Sequence, residues 1–238
     1  IFSVADYLEG QNVYVNGESP YIDAFVKDNY HLYSVKGVLD WKVSHVQLNT
    51  TNTSFTMSKG KQKLELTSGL LGSHQIGPLV VAVALGLELG LSEAQVKAGV
   101  QRTVPFEHRM QPYELSGACV IDDTYNGNIE GIRVGLNLLK SLNAKRKIYV
   151  TPGLVDQGRE SKQIHRQIGE LIAAAKPDLV VLMKNSVMPD IKAGLEVGKY
   201  EGELREEVDP LEFYTNLKHF LASGDIVLLQ NDWPDNYA

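Results

Sequence analysis

From residue 118 to residue 229 the chain alternates short apolar runs with segments of helical length, and this alternation restricts its fold more than any other feature. ACVIDD, KIYVT, DLVVLM and DIVLL are rich in β-branched residues and bounded by polar turns, as buried strands are. Between them, residues 129–142 set Ile132, Leu136, Leu139 and Leu142 on one helical face. Residues 161–175 form a second helix and residues 188–195 a weaker third. Asp209, Pro210 and Glu212 supply a cap, an N1 proline and an N3 acid for a fourth. Strands separated by helices of this length predict an α/β fold, a Rossmann-like, doubly wound and mostly parallel sheet.

The first 70 residues read differently. The apolar run at Val13 breaks at Asn16-Gly17-Glu18-Ser19-Pro20, and from Val43 the segments VSHVQLN, TSFTMS and KLELT follow as strands. Lys59-Gly60-Lys61 makes the hairpin turn between the last two. Two matches to the glycosylation sequon, at Asn49 and Asn52, read as threonine-rich strand. The loop GLLGSHQIG then enters an Ala/Val/Leu helix predicted to begin at Pro78 and to end at Gly90. Ser92 with Gln95 forms a capping box for the next helix, which runs out near Arg102-Thr103. Residues 103–111 belong to neither pattern and read as a linker.

Composition excludes several classes. A net charge of -6 gives no basic footprint for nucleic acid, and the longest apolar stretch, residues 79–87, is too short for a membrane span. Cys119 is the single cysteine, so no internal disulfide or cysteine-based zinc site forms, and its apolar neighbours predict a buried thiol. The chain starts at Ile1 and reaches its first methionine at Met57, which reads as a fragment.

Candidate chemistry gathers at the stretch PFEHRMQPYELSGACVIDDTYNGN, residues 105–128, where a strand delivers polar residues into a turn before a helix. On local features it reads equally as a buried strand, an Asn/Gly turn and a helix cap. Asp122 and Asp123, adjacent on a strand, point to opposite faces and so do not share a proton as a dyad. One is placed to accept ribose hydroxyls or hold water, the other to cap the turn or pair with a base. Tyr125 offers an aromatic face and Asn126 an amide, while Arg109 is either a fork for phosphate or carboxylate or a surface linker arginine. His74 and Gln75 precede a helix N-terminus that favours a polar or anionic ligand, although His74 alone reads as a loop histidine satisfied by backbone. The polar loop from Thr151 through Asp156 to Gly158 follows a strand's carboxyl end, and His165 in the next helix is expected to be solvated or near the cap. No GxxxxGKS or GxxxxGKT loop, GxGxxG fingerprint, GxSxG elbow or HExxH pair occurs.

Four segments in order resemble the Mur ligase family, the ATP-dependent amide ligases of peptidoglycan precursor synthesis, in the branch that adds D-alanyl-D-alanine. LLGSHQIGPLVVAVALGLELG is similar to the family's glycine-His-Asn loop and Ala-rich helix, and VPFEHRM to its proline-x-x-x-Arg-Met linker. IDDTYNGN resembles its Asp-Asp-Ser-Tyr-Asn-Ala-Asn signature, and VTPGLVDQGRESKQIHRQIG its Gly-x-Met-x-Glu-Leu-Gly segment with a later histidine. VNGESP is similar to its Asn-Ala-Asp-Asp-Pro strand end.

The resemblance implies that residues 1–103 are the end of a P-loop-type central ATPase domain, 104–111 a hinge and 112–238 the C-terminal domain. It implies ATP as co-substrate, with magnesium held by residues upstream of Ile1, and a cytoplasmic enzyme inactive as this fragment alone. It implies nucleotide contacts from His74, Gln75, Arg109, Asp123, Tyr125 and Asn126, and an amine-substrate side at Asn128 and Asp156. The partners implied are a UDP-N-acetylmuramoyl peptide and an amino acid or dipeptide, joined through an acyl phosphate. Gln75 stands where the family has asparagine, Pro78 replaces its second asparagine, Ile129 its proline, Asp156 its glutamate, and QNDWPDN replaces a Lys-Gly-Ser-Arg element expected after the last strand. Two alternatives follow from these departures and from a Gly-x-His-Gln loop shared with folate polyglutamate ligases: such a ligase, or a stand-alone non-catalytic nucleotide-binding or interaction module of the same fold.

Overall fold

The computed structural model describes residues 12–19, 22–24, 28–125 and 127–231 and divides the chain into two compact units, Ile1–Val104 and Pro105–Ala238. In the first, β1 (Val13–Asn16), β2 (Tyr30–Ser34), β3 (Gly37–Val38), β4 (Trp41–Leu48), β5 (Thr53–Lys59) and β6 (Gln62–Ser68) form one sheet in chain order. β1 and β2 pair in parallel and the rest antiparallel. β6 shows how the sequence chooses its face: Leu64, Leu66 and Ser68 are buried while Lys63, Glu65 and Thr67 are exposed. Trp41, Phe55, Met57, Leu64 and Leu66 form one core with α1 (Ile76–Glu88) and α2 (Glu93–Gln101). The predicted start of α1 moves back from Pro78 to Ile76, because a 3-10 turn, Ser73–Gln75, leads directly into it. Pro78 remains in the first turn, where its missing N–H costs no bond. The capping box is present: Ser92 Oγ accepts from Gln95 N, and Gln95 Oε1 accepts from Ser92 N at 2.8 Å.

The second unit is the doubly wound sheet read from the alternation. β7 (Gln111–Leu115) runs antiparallel to β8 (Ala118–Asp123), and β9 (Arg146–Thr151), β10 (Leu179–Met183), β11 (Glu203–Glu207) and β12 (Asp225–Gln230) are parallel, in the order β11-β10-β9-β12-β8-β7. Val120, Val150, Val181, Val227 and Leu229 face α6 (Pro210–Thr215) and α7 (Leu217–Phe220) through Phe213 and Leu217. α3 (Ile129–Ser141), α4 (Ser161–Ala175) and α5 (Met188–Val197) form the other layer, with α3 lying against Gln230. Since β12 inserts between β8 and β9, the carboxyl ends of three strands meet at one edge of this sheet.

Several expectations change. The sequence pattern does not mark β7 and β11 as strands: β7 carries Pro112, tolerated at an edge, and β11 reads ELREE, charged as exposed edges are. β2 and β3 also escaped, because their short runs show no alternation. Residues 105–111 belong to the second unit, with Met110 buried and its N–H bound to Asp123 Oδ1. Cys119 is half-buried rather than enclosed. The QNDWPDN segment begins one residue earlier than expected, with Gln230 as the last residue of β12 and Asn231 following it; residues 232–238 lie outside the described part. Among the described residues no helix is long and apolar enough to cross a membrane.

Candidate functional site

The edge where β8, β12 and β9 end is built by the loop before β7 and the turn after β8. The chain reverses at His108 and Met110, both at positive φ (57° and 48°), and His108 O accepts from Tyr125 N at 3.1 Å. That bond ties the two segments together. Arg109 is thereby set over the Tyr125 ring, its Cζ 4.4 Å from the centroid, and the Phe106 ring meets Tyr125 edge-on at 6.3 Å. Phe106 and Tyr125 remain 70% and 54% exposed. Exposed aromatic rings beside a guanidinium present a flat surface that a heterocycle could cover.

The two adjacent aspartates divide their work as strand geometry requires. Asp122 Oδ2 accepts from His108 Nδ1 at 2.8 Å, and its Oδ1 accepts from Thr124 N and Oγ1 at 3.1 and 2.7 Å. It therefore caps the turn and pairs with a histidine. Asp123, on the other face, accepts from Met110 N at 3.1 Å and from Gln230 Nε2 at 2.9 Å. Burial pushes the Asp123 carboxyl above its ordinary range; the bonds from Gln230 and Met110 and the charge of Arg109 oppose this without cancelling it.

Beneath Asp123 runs a buried chain of polar groups. Tyr149 OH donates to Gln230 Oε1 at 3.0 Å, and burial raises the Tyr149 hydroxyl so that it stays a donor. Asn231 follows at φ 69°, its N–H bound to Asp123 O and its side-chain amide packed against Gly127, where any Cβ would collide. Leu154, from the loop after β9, meets the same glycine position at 3.1 Å.

The structure thus brings Arg109, Asp123 and Tyr125 together. Asn128, beyond them, spends its side-chain oxygen capping α3, accepting from Gly131 N at 2.8 Å. Asp156 lies exposed on the loop after β9 at φ 58°. Asn126 lies outside the described residues. His74 and Gln75 belong to the first unit and pair with each other, Gln75 Nε2 donating to His74 Nε2 at 2.9 Å. The expectation that backbone satisfies His74 fails: its Nδ1 is buried without a partner, and burial lowers its pKa to about 4. With Nε2 accepting, the neutral ring carries its proton on Nδ1.

His165 is a second correction. It is 0% exposed, its Nδ1 donates to Ser161 O at 2.6 Å, and its Nε2 accepts from Leu154 N at 3.0 Å. The ring fixes the loop after β9 onto α4 instead of meeting solvent. His108, Phe106, Tyr149 and Gln230 were not singled out from sequence. For Tyr149 the signal was available: a phenol inside an apolar run must find a buried partner. Among the described residues no cluster of His, Cys, Asp and Glu is suited to hold a metal ion.

The family described as "Mur ligase, glutamate ligase domain" matches residues 108–230, from His108 beside Asp122 to Gln230 beside Asp123. That match covers more than half of the chain, and the chain belongs to the Mur ligase family. Within the family it is similar to particular proteins. UDP-N-acetylmuramoyl-tripeptide--D-alanyl-D-alanine ligase of Haemophilus influenzae is 26% identical over 168 residues, 70% of this chain and 36% of that protein. The crystal structure of MurF from Acinetobacter baumannii shares the fold with a TM-score of 0.75 at 18% identity, over 97% of this chain and 51% of its own. MurF ligase from Thermotoga maritima, solved in complex with ADP, shares it with a TM-score of 0.72 at 17% identity, over 94% of this chain and 51% of its own. The chain therefore spans about half the length of the structures it resembles.

Proposed function

We propose that this chain is the nucleotide-closing part of an ATP-dependent carbon–nitrogen ligase of peptidoglycan precursor synthesis. The ligase would join an amino acid or dipeptide, D-alanyl-D-alanine in the name of the Haemophilus influenzae relative, to a UDP-N-acetylmuramoyl peptide. The observation that carries the reading is the convergence of Arg109, Asp123 and Tyr125 at the carboxyl edge of the sheet, inside the segment that matches the family.

Such a ligase activates a carboxylate as its acyl phosphate, which the incoming amine then attacks with loss of phosphate. In this reading Tyr125 and Phe106 cover the base, Asp123 accepts from the ribose, and Arg109 offers its planar fork to phosphate. His74, neutral at physiological pH, gives one N–H donor beside the N-terminus of α1, and Gln75 orients it. Asn126 borders the nucleotide and the incoming amine, and Asn128 and Asp156 lie on the amine-substrate side. Residues 1–103 are then the end of the central domain and 112–238 the C-terminal domain, and of the hinge expected over 104–111 this reading keeps the junction at Val104–Pro105, with residues 105–111 carried by the C-terminal domain. This reading gives no residue of the chain a P-loop role and none of its described residues a magnesium-binding role.

The test is ADP release dependent on both substrates, measured on the polypeptide extended upstream of Ile1. Arg109→Ala should lower kcat/KM for ATP by about 10- to 100-fold, in line with a lost charged contact of roughly 1.5–3 kcal/mol. An extended protein that binds ADP yet turns over no peptide substrate would favour the stand-alone module.

A further inference from the structure

Gln230 closes β12 at 1% exposure, and its amide makes three bonds. Oε1 accepts from Tyr149 OH at 3.0 Å, while Nε2 donates to Asp123 Oδ2 and to Gly131 O, each at 2.9 Å. The surroundings fix which way this amide points, since turning it over would face its oxygen toward a carboxylate and a carbonyl. Space is reserved for it as well: a Cβ on Gly135 would come within 2.4 Å of Gln230 Nε2. Asp123 is consequently gripped from two sides, by Gln230 on Oδ2 and Met110 N on Oδ1. A carboxylate accepts about four bonds, so capacity for hydroxyl groups remains.

We propose that Gln230 is a positioning residue: it fixes the rotamer and the ionised form in which Asp123 accepts from the vicinal hydroxyls of a nucleotide ribose. The second half of this statement rests on the ribose assignment proposed above; the first does not. Arg109 and Asp122 also act on Asp123 by charge, and His108 sits on Asp122. Tyr149 acts on the carboxylate from beneath, its hydroxyl directed at Gln230. Replacing Gln230 by an apolar residue removes a donor to the carboxylate and strands the Tyr149 hydroxyl, whereas Gln230→Glu keeps the shape and opposes a second carboxyl to Asp123.

The deciding measurement is the carboxyl carbon titration of Asp123 by NMR in the whole chain, for wild type, Gln230→Leu and Gln230→Glu. ADP affinity is followed by calorimetry with the same substitutions in the polypeptide extended upstream of Ile1, with and without Asp123→Asn. The midpoint should rise in both variants, and ADP should bind about tenfold more weakly to Gln230→Leu at neutral pH. Gln230→Leu should cost almost nothing further once Asp123 is Asn. A midpoint that stays put in the folded variants overturns the proposal, as does an equal loss of affinity in both backgrounds. If Gln230→Leu fails to fold, the isosteric Gln230→Glu decides alone. ADP binding that ignores Asp123→Asn while the midpoint moves would sink the ribose assignment and leave the control of Asp123 by Gln230 standing.

Discussion

Asp123 and Asp225 show opposite uses of a carboxylate in one sheet. Burial pushes Asp225 up, yet Arg146 outweighs it with a two-pronged grip, Nε at 3.2 Å and Nη2 at 2.6 Å, and the carboxyl ends below its ordinary range. A lowered folded pKa adds stability above the unfolded value, about 3.9, and that stability is lost as pH falls through the folded value. For Asp123 the direction reverses. Its raised pKa adds stability only at low pH, and the benefit disappears as pH rises from the unfolded value through the folded one. The ionised form of Asp123 therefore costs the fold stability, a trait that clusters at functional sites. Asp123→Asn should change the melting temperature in a pH-dependent way, the difference from wild type moving in favour of the variant between about pH 4 and neutrality. Thermal melts across that range check it; a difference that does not vary with pH would mean that Asp123 titrates alike in both states.

Among the elements, the crossing of α4 and α5 depends on glycine at both contact points. A Cβ on Gly194 would lie 1.9 Å from Arg166 O, and one on Gly169 would lie 2.1 Å from Ile191 O. The neighbours are backbone atoms, which no rotamer change can move aside. Gly194→Ala should therefore destabilise the protein by at least about 1–3 kcal/mol, read from the denaturant midpoint, while an alanine at Gly99, which meets nothing within 4 Å, should leave it unharmed or stabilised. The element pattern was legible in the sequence wherever burial wrote a period into it. α3 showed its face through Ile132, Leu136 and Leu139, α4 was read with its true bounds, and Asp209 with Pro210 announced α6. Legibility stopped at the margins of the sheets. β7 and β11 bury too little to carry an apolar period, and the helix from Pro210 breaks at Asn216 into two short pieces.

At the scale of the whole molecule, the site was legible in part. Arg109, Asp123 and Tyr125 lie close enough in the sequence for one strand and its flanking turns to present them together. Gln230 is 107 residues from Asp123, and only the insertion of β12 between β8 and β9 makes them neighbours. No local pattern encodes such a pair, because sheet order is settled by the whole set of crossovers. The second unit holds everything this order requires. Its six strands complete one sheet, Phe213, Leu217 and Leu221 close one face, and α3, α4 and α5 make the other layer. The residues from Pro105 onward are bound into it through Met110 and His108. A polypeptide of residues 105–238 should therefore fold alone with a single cooperative transition, and its Asp123 should titrate as in the whole chain. One that starts at residue 112 would lose the Met110 N–H and the His108 ring, leaving Asp122 and Asp123 each short of a donor. It should melt lower than the 105–238 polypeptide by several degrees. Equal melting of the two would show that residues 105–111 act as a linker and carry none of the stability of the sheet's carboxyl edge.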